Sequence, residues 1–166
     1  MWRLARAVAV ATLSLATMSC GRIGDNREPW CRPVPATELM AVSVPTASLV
    51  PCVRELPAGW TFDGFQAADG GSSFGLLGPP ETTGRALVAF SASCPGAQGS
   101  VRPSDEDGAE LLEEVRRRSP FAARWTYRFE GGCARIDLAL PAGAEVDRGT
   151  RDLARALSFV PRPSVD

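Results

Sequence analysis

Histidine and lysine are both absent from this chain of 166 residues. The absence of histidine removes the usual proton shuttle and the commonest metal ligand, and the absence of lysine removes the amine nucleophile. The Ser-His-Asp type of hydrolase is excluded as well, because a serine would have no imidazole base beside it. Any chemistry would therefore depend on Asp, Glu, Ser, Thr, Arg or the single tyrosine, Tyr127.

Long apolar runs are also scarce, and the one near the N-terminus is short. It extends without a charge from residue 7 to residue 19, follows Arg3 and Arg6, and ends at Cys20. A membrane-spanning helix needs ~20 apolar residues, and this run is shorter. The basic end, the short apolar stretch and the small residues after it therefore predict a signal peptide over residues 1–19.

Two kinds of processing fit the end of this signal peptide. Ser19, Cys20 and Gly21 resemble the lipobox of bacterial lipoproteins, whose cysteine is lipidated and becomes the first mature residue. Thr17 departs from the lipobox, since Leu, Val or Ile usually stands there. Thr17 and Ser19 also suit ordinary signal peptidase. We expect lipidation at Cys20 and a location on the outer face of the cytoplasmic membrane, with plain secretion of a soluble protein as the alternative.

Cysteine is sparse, and its odd number favours lipidation. The chain has five cysteines, and an exported protein with a leftover thiol is unusual. If Cys20 carries lipid, four remain and can close as two disulfides in an oxidising compartment. Several pairings are open, and we favour Cys31 with Cys52, which ties the N-terminal segment down, and Cys94 with Cys133, which joins two strand ends.

Acidic and basic residues nearly balance. Without residues 1–19 the chain has 166 − 19 = 147 residues and a net charge of about 16 − 19 = −3. This length fits a single domain, and 45% hydrophobic residues overall are enough to bury a core. A mildly acidic domain lacks the basic surface of a nucleic-acid binder, so we expect no nucleic-acid partner.

Proline content divides the mature chain into a tether and one domain. Residues 20–47 are rich in proline and small residues and are expected to form a lipid-anchored tether. Within it, Trp30 and Cys31 are expected to dock on the domain, and residues 39–44 to form a strand. Residues 48–166 are expected to form a single globular domain.

Strand patterns dominate the domain. Apolar runs predict strands over residues 74–77 and 85–93. Residues 124–140 alternate apolar with polar side chains around Gly131 and Gly132, which is typical of a hairpin.

Two helices are predicted besides these strands. Ser104 with the acids after it resembles a helix start, and Gly108, Leu111, Leu112 and Val115 form an apolar stripe, so a helix is expected over residues 104–118. A closing helix is expected over residues 147–157. The predicted fold is thus α+β, an antiparallel sheet of about five strands with two helices packed on one face, stapled by two disulfides.

Two groups of side chains are candidate sites, each with a structural explanation beside it. Trp125, Tyr127 and Phe129 form an aromatic stripe that could stack on a sugar or peptide, although such a stripe is more often half of a core. The acids of residues 105–110 lack the spacing of a calcium loop and fit helix capping. We assign no metal ligand, no cofactor and no catalytic residue.

The chain resembles the small lipoproteins or secreted proteins of actinobacteria, a resemblance that implies no activity. It rests on the Cys20 region, on CVRELPAGW at residues 52–60, on Cys94 after a strand and on FEGGC at residues 129–133. The expected function is an envelope-anchored binding or interaction module, not an enzyme, with the membrane and an envelope protein as partners. A carrier of a small apolar or lipidic ligand is the alternative, and an acid-dependent hydrolase is the least favoured.

Overall fold

The computed structural model describes residues 28–80, 84–116, 121–141 and 146–162. Within them the chain forms two helices and nine strands, in the order α1 (Pro35–Ser43), β1 (Leu49–Val53), β2 (Thr61–Ala68), β3 (Gly71–Leu77), β4 (Arg85–Ser91), β5 (Ser100–Arg102), β6 (Ala109–Arg116), β7 (Phe121–Phe129), β8 (Gly132–Leu140), α2 (Val146–Ala156) and β9 (Leu157–Pro161). The protein is α+β and mostly antiparallel sheet.

Seven strands form one antiparallel sheet in the order β2-β3-β4-β8-β7-β6-β5. Two series of neighbouring strands build it, β2 to β4 and β5 to β8, and they join where β4 pairs with β8. Because side chains alternate between the two sides of a strand, the register separates an apolar inner face from a polar outer face. The inner face includes Phe74, Leu76, Ala86, Val88, Phe90, Ile136 and Leu138, all buried.

A second layer completes the core on the inner face. β1 and β9 pair as a two-stranded antiparallel ribbon. Val50 and Val53 of the ribbon, Met40 of α1 and Leu153 of α2 are fully buried and belong to one apolar cluster with the inner-face side chains. The sheet is therefore stabilised from one side, where apolar area is removed from water.

The hairpin predicted over residues 124–140 is confirmed as β7 and β8. Its turn needs Gly131, whose φ is 65° and whose missing Cβ leaves room for the carbonyl oxygen of Thr46. Thr46 in turn donates its hydroxyl hydrogen bond to the Gly131 carbonyl, with 2.6 Å between the oxygens. The turn that closes the hairpin thereby also holds the segment that leads from α1 into β1.

The helix predicted over residues 104–118 is wrong. Residues 100–102 and 109–116 form β5 and β6, because β6 pairs along its whole length with β7. The hydroxyl of Ser104 does accept a backbone amide hydrogen bond, from Glu106 at 3.1 Å, but it closes a turn instead of starting a helix. Ladder hydrogen bonds and burial of Leu112 outweigh the local helix signals.

The strand predicted over residues 39–44 is also wrong, since α1 occupies this stretch. Pro35 stands in the first turn of α1, where its fixed φ favours a helix and its missing N–H is not needed. Ala36, Met40 and Ala41 then fall on one helical side, which is buried. The packed body consequently includes described residues that the sequence placed in the tether.

The closing helix is present as α2, within a residue of its predicted bounds, and Leu153 is buried as expected. Leu157, expected in the same helix, instead begins β9 and is also buried.

The predicted arrangement of about five strands under two helices is too simple. The main sheet has seven strands because residues 100–116 pair as strands, and a ribbon accompanies it. The helices do not form a pair: α1 lies against β1, β2 and β3, whereas α2 lies against β8 and β9.

Both favoured disulfides are present. Cys31 is bonded to Cys52 with 4.9 Å between their Cα atoms, and Cys94 to Cys133 with 5.8 Å. Two disulfides in one domain are typical of a protein that folds outside the cytoplasm. Among the described residues, no helix has both the length and the apolar character that crossing a bilayer requires.

Candidate functional site

The outer face of the sheet carries a row of ion pairs. In antiparallel strands, directly opposed side chains lie on the same face and interact. Arg124 of β7 faces Asp137 of β8 on one side and Glu114 of β6 on the other. The outer face thus places opposite charges next to one another across three strands.

These charges form a connected series, which we call the arginine ladder (Arg116, Glu114, Arg124, Asp137 and Arg135). Asp137 accepts hydrogen bonds from the Nε atoms of Arg124 at 2.6 Å and Arg135 at 3.1 Å. Glu114 lies 3.1 Å from Arg116 and 3.8 Å from Arg124. The pKa of Arg124 is raised because its guanidinium donates to the Asp137 carboxylate, so Arg124 stays charged at the centre of the ladder.

The chain between β4 and β5 crosses part of this face. β5 lies at the sheet edge three strands beyond β4's partner β8, so residues 92–99, the crossover segment, must pass β8, β7 and β6. The disulfide to Cys133 holds this segment at Cys94. Leu112 and Thr126 are buried on the same face, at 7% and 1% exposure. The Thr126 hydroxyl has no hydrogen-bond partner among the described residues.

A cavity of about 670 Å³, the crossover pocket, opens between the crossover segment and the outer face. Its size is within the range of about 300–1,000 Å³ that is usual for small-ligand sites. Arg128 and Glu110 stand in it as an ion pair, with 3.4 Å between Nη1 and Oε2, and both side chains are about half exposed. The remaining lining is Ala92, Ser93, Cys94, Pro95, Gly96, Ala97, Phe129, Gly131, Gly132 and Cys133.

The crossover pocket suits polar ligands. Its lining consists of small residues, which leave backbone groups accessible, and of one cation and one anion that a ligand could pair with. The arrangement can bind and orient a molecule that carries hydrogen-bonding groups or both signs of charge.

A second, smaller cavity of about 370 Å³, which we call the groove, lies at the other end of the outer face. Its floor is made of small and aliphatic residues, and arginine-ladder residues border it. The lining is Arg85, Leu87, Glu114, Arg116, Ala122, Ala123, Arg124, Asp137, Leu138 and Ala139. The outer face therefore carries two cavities, the crossover pocket and this groove.

The aromatic stripe predicted as a ligand platform lies on the inner face. Trp125 is 5% exposed, and its indole N–H donates to Glu113 at 3.3 Å. The rings of Tyr127 and Phe129 pack on Phe159 of β9, with centroids 4.8 and 5.6 Å away. The stripe is therefore part of the core, which was the alternative to a ligand platform. Strand β9 covers the surface on which a ligand would have stacked.

A polar cluster surrounds the hydroxyl end of Tyr127. Burial raises the pKa of Tyr127 to about 12, and the negative charges of Glu106, Asp105 and Glu113 add to the rise. Glu106 accepts a hydrogen bond from the Ser158 hydroxyl at 2.8 Å, which ties the turn before β6 to β9. Tyr127 is thus held as a neutral phenol near neutral pH.

Two points remain on how the site residues compare with the sequence predictions. The predicted lipidation site, Cys20, lies outside the described residues. Glu114 was missed, and Glu110 was weighed only as part of a calcium loop or a helix cap, because the sequence pattern placed both on a helix. The adjacent Asp107 and Gly108 are a turn signal, and Gly108 has a φ of 78°, so this pair could have indicated the start of a strand.

No protein-family model matches this chain, and no curated protein matches it. A crystal structure of a protein from Bacteroides thetaiotaomicron VPI-5482 is similar to 72% of this chain, with 10% sequence identity and a TM-score of 0.43. The similar region spans 47% of that protein's own length, about half. A likeness at this TM-score carries no argument about fold or function.

Proposed function

We propose that this protein is a lipid-anchored binding module of the cell envelope, and that it binds a polar segment of another envelope protein with the outer face of its sheet. In this proposal Cys20 carries the lipid, and the protein resembles the lipoproteins of actinobacteria in that respect. The domain itself binds without catalysing a reaction.

One observation carries this proposal, namely the crossover pocket. A chain segment held by a disulfide, Cys94 with Cys133, leaves a cavity of about 670 Å³ above the outer face of the sheet. A rigid wall of this kind reduces the ordering cost of binding. The opposite charges of Arg128 and Glu110 would fix the direction of an extended segment that carries both signs of charge.

The disulfides support the extracytoplasmic part of the proposal. Thiols are kept reduced in the cytosol, so stable disulfides favour an exported protein. An apolar-ligand carrier would need an enclosed apolar cavity, whereas both the crossover pocket and the groove are open to solvent and have charged side chains in their lining. The carrier and hydrolase alternatives stay predictions from the sequence.

Photo-cross-linking in cells tests the binding face. A photoreactive amino acid replaces Ala97 in the crossover pocket or Ala139 in the groove, with Gln66 on β2 as an exposed control position. We expect both outer-face positions to form an adduct with the same envelope protein, and Arg128→Glu to remove the adduct from position 97. Adducts that form equally from position 66, or that persist in the Arg128→Glu variant, would contradict the proposal.

A further inference from the structure

Helix α1 exposes two large apolar side chains besides those that it buries. Leu39 and Val42 are 42% and 63% exposed, and they line up with the exposed Pro35 and Pro45 at helical spacing. Glu38 is the single charged residue between positions 33 and 53. Leu39 and Val42 are three residues apart, so their side chains adjoin on the helix surface, and the exposed Glu38 lies at the edge of this patch. Adjoining exposed apolar side chains are typical of a surface that contacts a partner or a membrane.

Aromatic and basic side chains adjoin the start of this helix. The hydroxyl of Thr37 donates to the carbonyl of Trp30 at 2.8 Å, which keeps Trp30 beside the first turns of α1. The guanidinium carbon of Arg32 is 6.0 Å from the centre of the Trp30 ring. Trp30, Arg32 and Arg54, with Cys31, line a cavity of about 380 Å³.

The two arginines differ in their partners. Arg32 is exposed and makes no ion pair with any described residue. The Arg54 side chain is 62% exposed, and its closest carboxylate oxygen, on Glu106, is 3.8 Å away. Tryptophan beside arginine next to an apolar patch is the composition of surfaces that lie at a membrane interface.

The described chain begins beside Trp30, on the same side of the protein. Its first residue is Glu28, and the expected lipid attachment at Cys20 lies ten residues before Trp30. Ten residues span at most ~35 Å when fully extended. A lipid at Cys20 would therefore keep Trp30 and α1 within reach of the headgroups.

We propose that the surface made by Trp30, Arg32, Arg54, Leu39 and Val42, the membrane-facing surface, rests on a bilayer rich in anionic phospholipid. This inference rests on the proposed lipid anchor. The arginines contact phosphate groups, Trp30 lies at headgroup level, and Leu39 and Val42 enter the acyl boundary. Because the buried side of α1 joins the core on the inner face, the outer face and its crossover pocket point away from the membrane.

Tryptophan fluorescence in vesicles tests this orientation. The full chain, produced in a lipidating bacterial host, is reconstituted into phosphatidylcholine vesicles with or without phosphatidylglycerol, and brominated lipids serve as quenchers. Trp60 and Trp125 are 9% and 5% exposed, so Trp30 supplies the accessible emission of the described chain. We expect bromolipid to quench this emission, more strongly in anionic vesicles, and we expect Trp30→Phe to remove the quenched component.

Matched variants show which surface lies on the bilayer. Val42→Asp is expected to lose most of the quenching, whereas Val101→Asp, at a residue of similar exposure (67%) on the edge strand β5, is expected to keep it. Arg32→Gln with Arg54→Gln is expected to abolish the difference between anionic and neutral vesicles. Equal quenching in the Val42→Asp variant and the unchanged protein would overturn the orientation.

The remaining outcomes separate this inference from the proposed function. If intact mass shows no lipid and the protein washes off the vesicles, the proposed anchor fails. If the protein is lipidated and retained but Trp30 is not quenched, the membrane-facing surface fails alone. A dimer in detergent solution that Val42→Asp dissociates would identify the patch as an interface between two copies and would overturn the membrane assignment.

Discussion

The inner and outer faces of the seven-stranded sheet come from the same strands but are held by different forces. On the inner face, Leu76 is fully buried among apolar side chains from both layers. On the outer face, Leu87 is 43% exposed and lies opposite Asp137 of the arginine ladder. Stability therefore resides mainly in the inner face, and the outer face is free to present charge and cavities to a ligand.

The largest difference between the two faces is expected in the free energy of unfolding, when one leucine on each face is replaced by alanine. Leu76→Ala should lower the free energy of unfolding by about 3 kcal/mol, because it opens a cavity in a packed core. Leu87→Ala should change it by less than about 0.5 kcal/mol, since the side chain is already in contact with water. Urea unfolding of both variants measures the difference, and similar values for the two would show that the outer face is covered in solution.

The second largest effect is a loss of stability at alkaline pH, caused by the titration of Tyr127 on the inner face. Tyr127 is the single tyrosine, and burial with nearby carboxylates raises its pKa to about 12 from an unfolded value of 10.0. The folded state keeps a proton that the unfolded chain loses, so the free energy of unfolding should fall as the pH rises from about 10 to about 12. The fall is bounded at about 2.7 kcal/mol by the size of the pKa difference.

Ultraviolet absorbance of the phenolate measures the midpoint of the Tyr127 titration directly. Tyr127→Phe provides the control, because it should remove this part of the alkaline loss of stability while leaving the ring packing on Phe159. A midpoint near 10 in the folded protein would mean that the hydroxyl end is open to water.

The smallest effect is expected from the arginine ladder. Asp137→Asn should lower the free energy of unfolding by ~1 kcal/mol or less, because exposed ion pairs are screened by water. The loss should shrink at high salt, where the Debye length is short. Asp63→Asn, which removes a single pair with Arg85, is the matched control and should cost less. If salt does not change the loss of stability, the ladder would stabilise the fold through packing of its aliphatic side-chain atoms and not through its charges.

Local patterns predicted the β7 to β8 hairpin well. Alternation of aromatic with polar side chains assigned Trp125, Tyr127 and Phe129 to one face and Arg124 and Arg128 to the other, and the structure has them so. Hairpin register depends on near neighbours in the chain and on the turn, so the information is local.

Residues 100–116 show where local patterns were insufficient. Glu110, Leu111 and Leu112 favour a helix by intrinsic propensity, and the apolar spacing agrees with one. Pairing with β7 on one side and β5 on the other satisfies the backbone of β6 in a strand. Whether this segment forms a helix or a strand depends on pairing with β5 and β7, which lie outside it. The arginine ladder and the crossover pocket therefore could not be placed from the sequence.

The sequence alone determined the residue types available for chemistry and the hairpin at Gly131, because these depend on composition and short-range turn geometry. It left several pairings of the four cysteines open, and the tertiary structure selects among them by bringing Cys31 to Cys52 and Cys94 to Cys133. The tertiary structure decided that α1 joins the core, that β8 inserts beside β4 and that the crossover segment passes over the outer face. These features depend on pairings between residues distant in the chain, whose free energy comes from shared burial and ladder hydrogen bonds, not from local preference.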